Sequence, residues 1–452
     1  MNKKKILCIG GRMLANGYDI EVEGRRFDVQ FPSKIWTKTP LSVRKALTDN
    51  LIYVQSHFLP LILGYDSVQY KTAFPFLEPF FFRNQIYDLP DCEINDAMEA
   101  GSYIKHFFNL DLSFEDNHSR FPDKKDLLKS ASRPDVAIVP FSFGKESLAT
   151  AALCKELGIE PVLVYCQEPS QPYEQESKLK RLKKMSKEMG IDSYFIVNGP
   201  GLFRYDVAFG KKPGTEIGWG AQMTILSLLM LPFVYYYKAR YILYGSEYMN
   251  NRSELHKGWK VHYSYDNSSF WTIEQGNMIK LLTNGVCDVR SFLEPLEEAS
   301  IMYLLNHRYP EYAKYYTSCF GKKPYYGSSY WCHDCYKCHK MYLLGTACGF
   351  DPRTIGFEKD LFKEPNFLEE YFKGYRDVDS DFAFYLLYKK GFKNSFVQKF
   401  VRMKLHGLRS WNWHASFFTG VKDSYTLPDD YKSKMYSIFK KEMRGLAAHI
   451  KV

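Results

Sequence analysis

The stretch Asp135-Val136-Ala137-Ile138-Val139-Pro140-Phe141-Ser142-Phe143-Gly144-Lys145-Glu146-Ser147-Leu148 constrains the fold more than any other part of the chain. An apolar run closes in a tight Ser/Gly turn, and a helix expected over Glu146–Leu157 opens on small and polar residues. A second apolar run, Pro161–Cys166, completes a βαβ unit and so predicts a parallel α/β sheet. A helix that starts directly after a strand presents uncapped backbone N–H groups and the positive end of its dipole, and both suit a phosphate. Gly144 lets the backbone approach closely, while Ser142, Lys145 and Ser147 add hydroxyls and a cation. The spacing is neither the GxxxxGK[ST] of a Walker loop nor the GxGxxG of a dinucleotide fold. Taken alone, the six residues from Ser142 to Ser147 fit an ordinary tight βα turn as well as a phosphate cradle.

A second pattern lies far downstream. Cys319, Cys332, Cys335 and Cys338 are spaced C-x12-C-x2-C-x2-C, with His333 and His339 beside them. Four thiolates at such spacing can close a tetrahedral zinc site, and a CxxCxxC run also suits iron–sulfur ligation. Lys3-Lys4-Lys5 leads into only a short apolar stretch with no small-residue cleavage site. No secretory leader is therefore expected, and disulfides are not. Cys8, Cys92, Cys154, Cys166, Cys287 and Cys348 show no motif spacing and read as small buried hydrophobes.

The two patterns together carry a resemblance. Ser142-Phe143-Gly144-Lys145-Glu146-Ser147 resembles the SGGxDS loop of the PP-loop ATP pyrophosphatases, and the cysteine segment resembles the zinc cluster of the 7-cyano-7-deazaguanine synthase (QueC-type) branch. The resemblance spans about residues 134–351. It implies a Rossmann-like parallel sheet, of the adenine nucleotide α-hydrolase type, with a zinc-bearing C-terminal lobe. It also implies ATP and Mg2+ as co-substrates, with Zn2+ held by Cys319, Cys332, Cys335 and Cys338. The implied reaction is adenylation of a carboxylate, 7-carboxy-7-deazaguanine, releasing pyrophosphate, with Ser142, Lys145, Glu146 and Ser147 carrying it. Phe143 and Gly144 would complete the pyrophosphate loop, and Val164 and Tyr165 at the end of the second strand would meet the nucleotide. Gly245, Ser246 and Glu247, after a strand expected at Tyr241–Glu247, would close over it. Asn250, Asn251, Arg252, Asp266 and Trp271–Glu274 fall where the synthase contacts substrate. Two positions depart from the pattern: Phe143 replaces a glycine, and Glu146 replaces an aspartate.

Other elements follow from periodicity and turn chemistry. A third strand is expected at Ser193–Val197, a helix at Gly218–Tyr237 and an amphipathic helix at Ala299–Asn306. Ala221–Tyr237 is apolar, but it is shorter than the ~20 residues of a bilayer span and carries Gln222, Thr224 and Pro232; a packed helix is expected, not a membrane segment. Lys178–Lys187 reads as the solvated face of a helix whose apolar stripe is Leu179, Leu182 and Met185. Lys389–Arg409, basic among Phe and Leu, reads as an ordinary amphipathic surface first and as a surface for RNA or a partner second. The net charge, +10 from 61 basic and 51 acidic residues, does not by itself demand nucleic acid. A cytoplasmic enzyme is the expectation.

Three regions are predicted: residues 1–130 as an extra N-terminal α+β domain, 131–351 as the PP-loop domain with the cysteine cluster, and 352–452 as a helical extension. In the first, Lys5–Gly11 reads as a short strand and turn, Tyr18–Phe31 as a hairpin around Gly24, Leu51–Leu63 and Phe74–Phe82 as helices, and Asp111–Lys129 as a linker. Its length and the Phe143 departure resemble the QueC-like branch of antiphage systems (Qat and type IV CBASS). In the CBASS branch the resemblance implies capture of the adenylate by a protein amine, with residues 1–130 docking the acceptor; in the synthase branch it implies capture by ammonia, giving an amide and then a nitrile. Two other classes stay open: a tRNA-modifying thiolase, and a non-catalytic ATP-binding partner. Self-association is left open as well.

Overall fold

The computed structural model describes residues 5–95, 99–130, 133–169, 172–205, 207–209, 217–319, 321 and 330–452. Twelve strands form among them: β1 (Ile6–Leu14), β2 (Gly17–Val22), β3 (Arg25–Gln30), β4 (Ser67–Ala73), β5 (Asp111–Asp116), β6 (Arg133–Pro140), β7 (Glu160–Gln167), β8 (Ser193–Asn198), β9 (Ala239–Tyr244), β10 (Ser253–His256), β11 (Trp259–His262) and β12 (Asp288–Ser291). Ten of them join one sheet in the order β12-β9-β6-β7-β8-β3-β2-β1-β4-β5, and β10 and β11 form a separate hairpin.

The sheet is built from two halves of different grammar. β12, β9, β6, β7 and β8 run parallel, connected through helices such as Lys145–Glu156 and Pro172–Met189. Buried on both faces, these strands are continuous apolar runs. Val136 and Ile138 point into one core, and Ala137 and Val139 into the other. The N-terminal half begins with an antiparallel meander, β1-β2-β3, whose β2–β3 turn is Glu23-Gly24 with φ of 50° and 75°. Two left-handed residues are what a two-residue type I′ turn requires, and Gly24 supplies one without strain.

The halves meet where β3 pairs antiparallel with β8, Val29 opposite Asn198 and Gln30 opposite Val197. Residues 1–130 and 131–351 therefore share one continuous sheet. Helix Leu41–Ser56 and its neighbours pack on the same face as the helices Gln222–Leu229 and Leu231–Tyr237. The opposite face of the parallel half carries the cysteine segment and the C-terminal helices.

Several local expectations are corrected. Asp111–Asp116, expected within a linker, is the edge strand β5, parallel to β4. Gly10 and Gly11 lie inside β1 and not in a turn. The helix expected over Phe74–Phe82 is Glu78–Asp88, because Pro79 fits a first helical turn. The long helix expected from Gly218 is broken into a 3-10 turn at Trp219–Ala221 and helices on either side of Met230, with Pro232 in the first turn of the second. This stretch is the only one among the described residues long and apolar enough for a membrane span, and 72% of its apolar window is buried in the protein.

Candidate functional site

β6 stays paired with β7 to its end, where the amide of Phe141 donates to Val164 O across 2.9 Å. The chain then turns into the helix Lys145–Glu156 through a loop that bonds to itself. Ser147 Oγ accepts from the Ser142 amide (3.3 Å) and donates to Gly144 O (3.1 Å), while Ser142 Oγ accepts from the Gly144 amide (3.2 Å). Gly144 is the N-cap and offers no side chain to the first helical turn. Phe143 sits at φ 67°, a left-handed conformation natural to glycine. Its ring is fully buried, edge-on to Phe141 at 4.7 Å and beneath the Arg181 guanidinium at 5.7 Å. Phe143 thus keeps a glycine's backbone shape and adds an anchor in the core.

The loop opens onto a cleft of about 460 Å³ at the carboxyl ends of β6, β7 and β9. Ser142, Glu146 and Ser147 line it from the loop, Val164 and Tyr165 from β7, and Gly245, Ser246 and Glu247 from the end of β9. Eight residues singled out from the sequence therefore meet in one place. Gly245 is required there by space, since a Cβ would lie 2.7 Å from the carbonyl oxygen of Glu146. Phe143, Gly144 and Lys145 do not line the cleft.

Lys145, expected as the phosphate's cation, is only 4% exposed and does not line the cleft. Its ammonium pairs with Glu146 and lies 3.0 Å from Glu298 Oε1 on the helix Glu298–Arg308. Burial alone would lower its pKa, but Glu146, Glu298 and Glu247 outweigh burial and hold it well above the usual value. The cation on the cleft wall is Lys178, 7% exposed and 5.8 Å from the Tyr165 ring centroid. The reading of Lys178–Lys187 as a solvated face holds for Lys180, Lys183, Lys184 and Lys187, while Lys178 and Arg181 are buried. Lys178 lies four residues before Leu182 and seven before Met185, so the same helical spacing that marked the apolar stripe also marks this lysine.

Sequence reasoning also missed Glu168, Tyr205, Gln222 and Asn267, which line the cleft as well. Their positions carry no local motif. Asn250, expected in the closing loop, does reach the cleft. Asp266 lies behind the wall, buried, with its carboxylate accepting from the Met223 amide at 3.0 Å. Burial raises its pKa to about 6 against that hydrogen bond. Glu247 is pushed up to about 8, first by burial and further by Glu298 and Glu146, with Lys145 and Lys340 opposing. Its Oε2 is buried with no hydrogen-bond partner.

On the other side of Glu298 stands the cysteine centre. The four Sγ atoms of Cys319, Cys332, Cys335 and Cys338 all lie within 4.8 Å of one another. Cys319–Cys335, Cys332–Cys338 and Cys335–Cys338 are separated by 3.9, 3.8 and 3.4 Å, beyond disulfide bonding. Backbone amides of Gly321 and Cys332 donate to Cys319 Sγ, and that of Cys338 to Cys335 Sγ, which favours thiolates. This donor set can hold a metal ion. Cys335 also caps the helix Tyr336–Ala347, which carries Lys340. The carboxylates of Glu298, Asp377 and Asp379 converge at 2.5, 2.8 and 3.4 Å on the Lys340 ammonium, and burial with the neighbouring carboxylates holds Asp379 well above the usual carboxylate range.

Among known proteins, the chain matches no family model and no curated protein. Its own geometry defines an α/β protein with a large, mostly parallel sheet, a cleft at the strand ends and a four-cysteine centre.

Proposed function

We propose that this chain is an ATP-dependent ligase that adenylates a carboxylate, with 7-carboxy-7-deazaguanine as the first candidate substrate. One observation carries the reading: the Ser142–Ser147 loop shares a single cleft with the ends of β7 and β9. That cleft lies where the parallel strand order reverses, with β7 and β8 to one side of β6 and β9 and β12 to the other. A strand order that reverses in this way supports reading the sheet as doubly wound and Rossmann-like, a class that binds nucleotides at such a point.

In the reaction the substrate carboxylate attacks the α-phosphorus of ATP, the bond to the β-phosphate bridge breaks, and pyrophosphate leaves. Ammonia or a protein amine then attacks the acyl carbon and AMP departs. Ser142, Ser147 and the first amides of helix Lys145–Glu156 are the donors for pyrophosphate, and Lys178 supplies the positive charge from the cleft wall. Glu146, now paired with Lys145, and Glu247, whose proton a bound cation would displace, are the cleft carboxylates that would hold magnesium. Positioning and charge stabilisation supply the rate, with no covalent intermediate on the protein.

The sulfur separations support one tetrahedral zinc. With Zn–S near 2.3 Å, a tetrahedron places its sulfurs ~3.8 Å apart. Thiolates this close leave room for a single ion and not for a multi-iron cluster, which disfavours the thiolase reading.

Mass spectrometry of the purified protein with Mg-ATP and 7-carboxy-7-deazaguanine, with and without ammonia, tests the proposal. AMP with an amide or nitrile product supports synthase chemistry, and a deazaguanine adduct on protein supports conjugation. Absence of AMP with this and a panel of other carboxylates overturns the reading.

A further inference from the structure

The phosphate loop and the cysteine centre come from chain segments far apart in sequence, yet the backbone joins them directly. The Thr317 amide donates to the carbonyl of Phe143 across 3.0 Å. Phe143 is the left-handed residue at the apex of the loop, the one position where an ordinary side chain is conformationally costly. Such a residue persists only when its surroundings hold it. Thr317 is 2% exposed, and its hydroxyl is tied to both arms of the cysteine segment: Oγ1 donates to Tyr330 O at 2.8 Å and accepts from the Cys319 amide at 3.4 Å. Tyr330 immediately precedes Trp331-Cys332, and its ring lies 3.4 Å from the Arg181 guanidinium, which also covers the Phe143 ring.

A second path runs in parallel. Helix Tyr336–Ala347, capped by Cys335, delivers Lys340 to Glu298, and Glu298 receives Lys145, the first residue of the helix that follows the loop. The loop is therefore held at Phe143 and at Lys145 by groups whose own positions depend on the four cysteines. A four-cysteine site far from the chemistry has no need of either contact.

We propose that Thr317 is a positioning residue for the phosphate loop, carrying the geometry of the four-cysteine centre to the backbone of Phe143. Metal loading then sets whether the loop is formed, and nucleotide affinity depends on a metal that touches no nucleotide. This inference rests on the loop being the phosphate site, but not on which carboxylate is activated.

Two variants of the full chain separate the contacts. Thr317→Val keeps the amide and removes the hydroxyl bridge; Thr317→Pro removes the amide donor to Phe143. Zinc content, Mg-ATP affinity by calorimetry and hydrogen exchange of the peptide spanning residues 141–147 are the readouts. Thr317→Val is expected to weaken Mg-ATP by a few-fold and Thr317→Pro by about tenfold or more. Both should retain one zinc per chain, with faster exchange confined to the loop peptide. Chelating zinc from the parent should produce the same loop signature while peptides from β1 and β4 keep their protection. Unchanged loop exchange, or Mg-ATP affinity within twofold of the parent in both variants, would overturn the proposal. Exchange lost across the whole sheet in both variants would make Thr317 a general stability residue and overturn it equally. If the parent binds no nucleotide, the ligase reading fails by itself, and loop exchange still judges the brace.

Discussion

Lys145 and Glu298 form a buried ion pair, Nζ to Oε1 at 3.0 Å, directly beneath the loop that Lys145 was expected to serve. The pair diverts the loop's own cation into the core and leaves the cleft to Lys178. Lys145→Met would leave Glu298 with Lys340 as its remaining partner, and the cost of breaking a buried pair is about 3–5 kcal/mol. Chemical denaturation should show a loss of that order, partly recovered in Lys145→Met/Glu298→Gln. Lys178→Met should do the reverse, leaving stability within ~1 kcal/mol while weakening Mg-ATP about tenfold. Equal nucleotide affinity in Lys178→Met and the parent would remove Lys178 from the site.

Ser147→Ala deletes the hydroxyl that joins Ser142 to Gly144 and faces the cleft. Its stability cost should be near 1 kcal/mol, the net worth of a hydrogen bond. Pyrophosphate release, followed with a coupled phosphate assay, should fall by at least a hundredfold in a protein with unchanged circular dichroism. Retained release excludes the loop from the mechanism.

Glu247 carries the pH dependence. Burial raises its pKa from the ordinary carboxylate range to about 8. The folded state therefore binds its proton more tightly than the unfolded state does. The stabilisation is fully present below the unfolded pKa and is lost as pH rises through about 8. Glu247→Gln keeps the shape and removes the titration. Its melting temperature should match the parent's near pH 5 and exceed it by several degrees near pH 9. Parallel curves for the two proteins across that range would show that Glu247 is ionised in the fold throughout.

The cysteine centre should contain one zinc per chain by elemental analysis. Cys335→Ser removes a ligand and replaces the sulfur that accepts from the Cys338 amide at the start of helix Tyr336–Ala347. Metal and solubility should be lost together, because metal binding at such sites is folding free energy. A soluble variant that still adenylates its substrate would refute a structural metal. A brown chromophore in the parent would refute zinc.

What the sequence determined by itself was local. The apolar run, Ser/Gly turn and helix around Ser142–Ser147, the hairpin at Glu23-Gly24 and the x2 spacing of Cys332, Cys335 and Cys338 are set by periodicity and turn chemistry over a few residues. The strand ends that share the cleft were legible for the same reason, since parallel strands joined by helices present their carboxyl ends on one side.

Tertiary structure decided everything that depends on partners distant in the chain. Val29 and Gln30 join β8 and make one sheet of two regions that composition separates. Lys145 meets Glu298, 153 residues away, and so leaves the cleft. Lys178 falls on the buried side of a helix whose charge pattern reads as solvated. Each outcome follows from which surfaces become neighbours when the sheet closes. A charged side chain's role is set by the nearest opposite charge in space, and that neighbour is not written in the residues beside it.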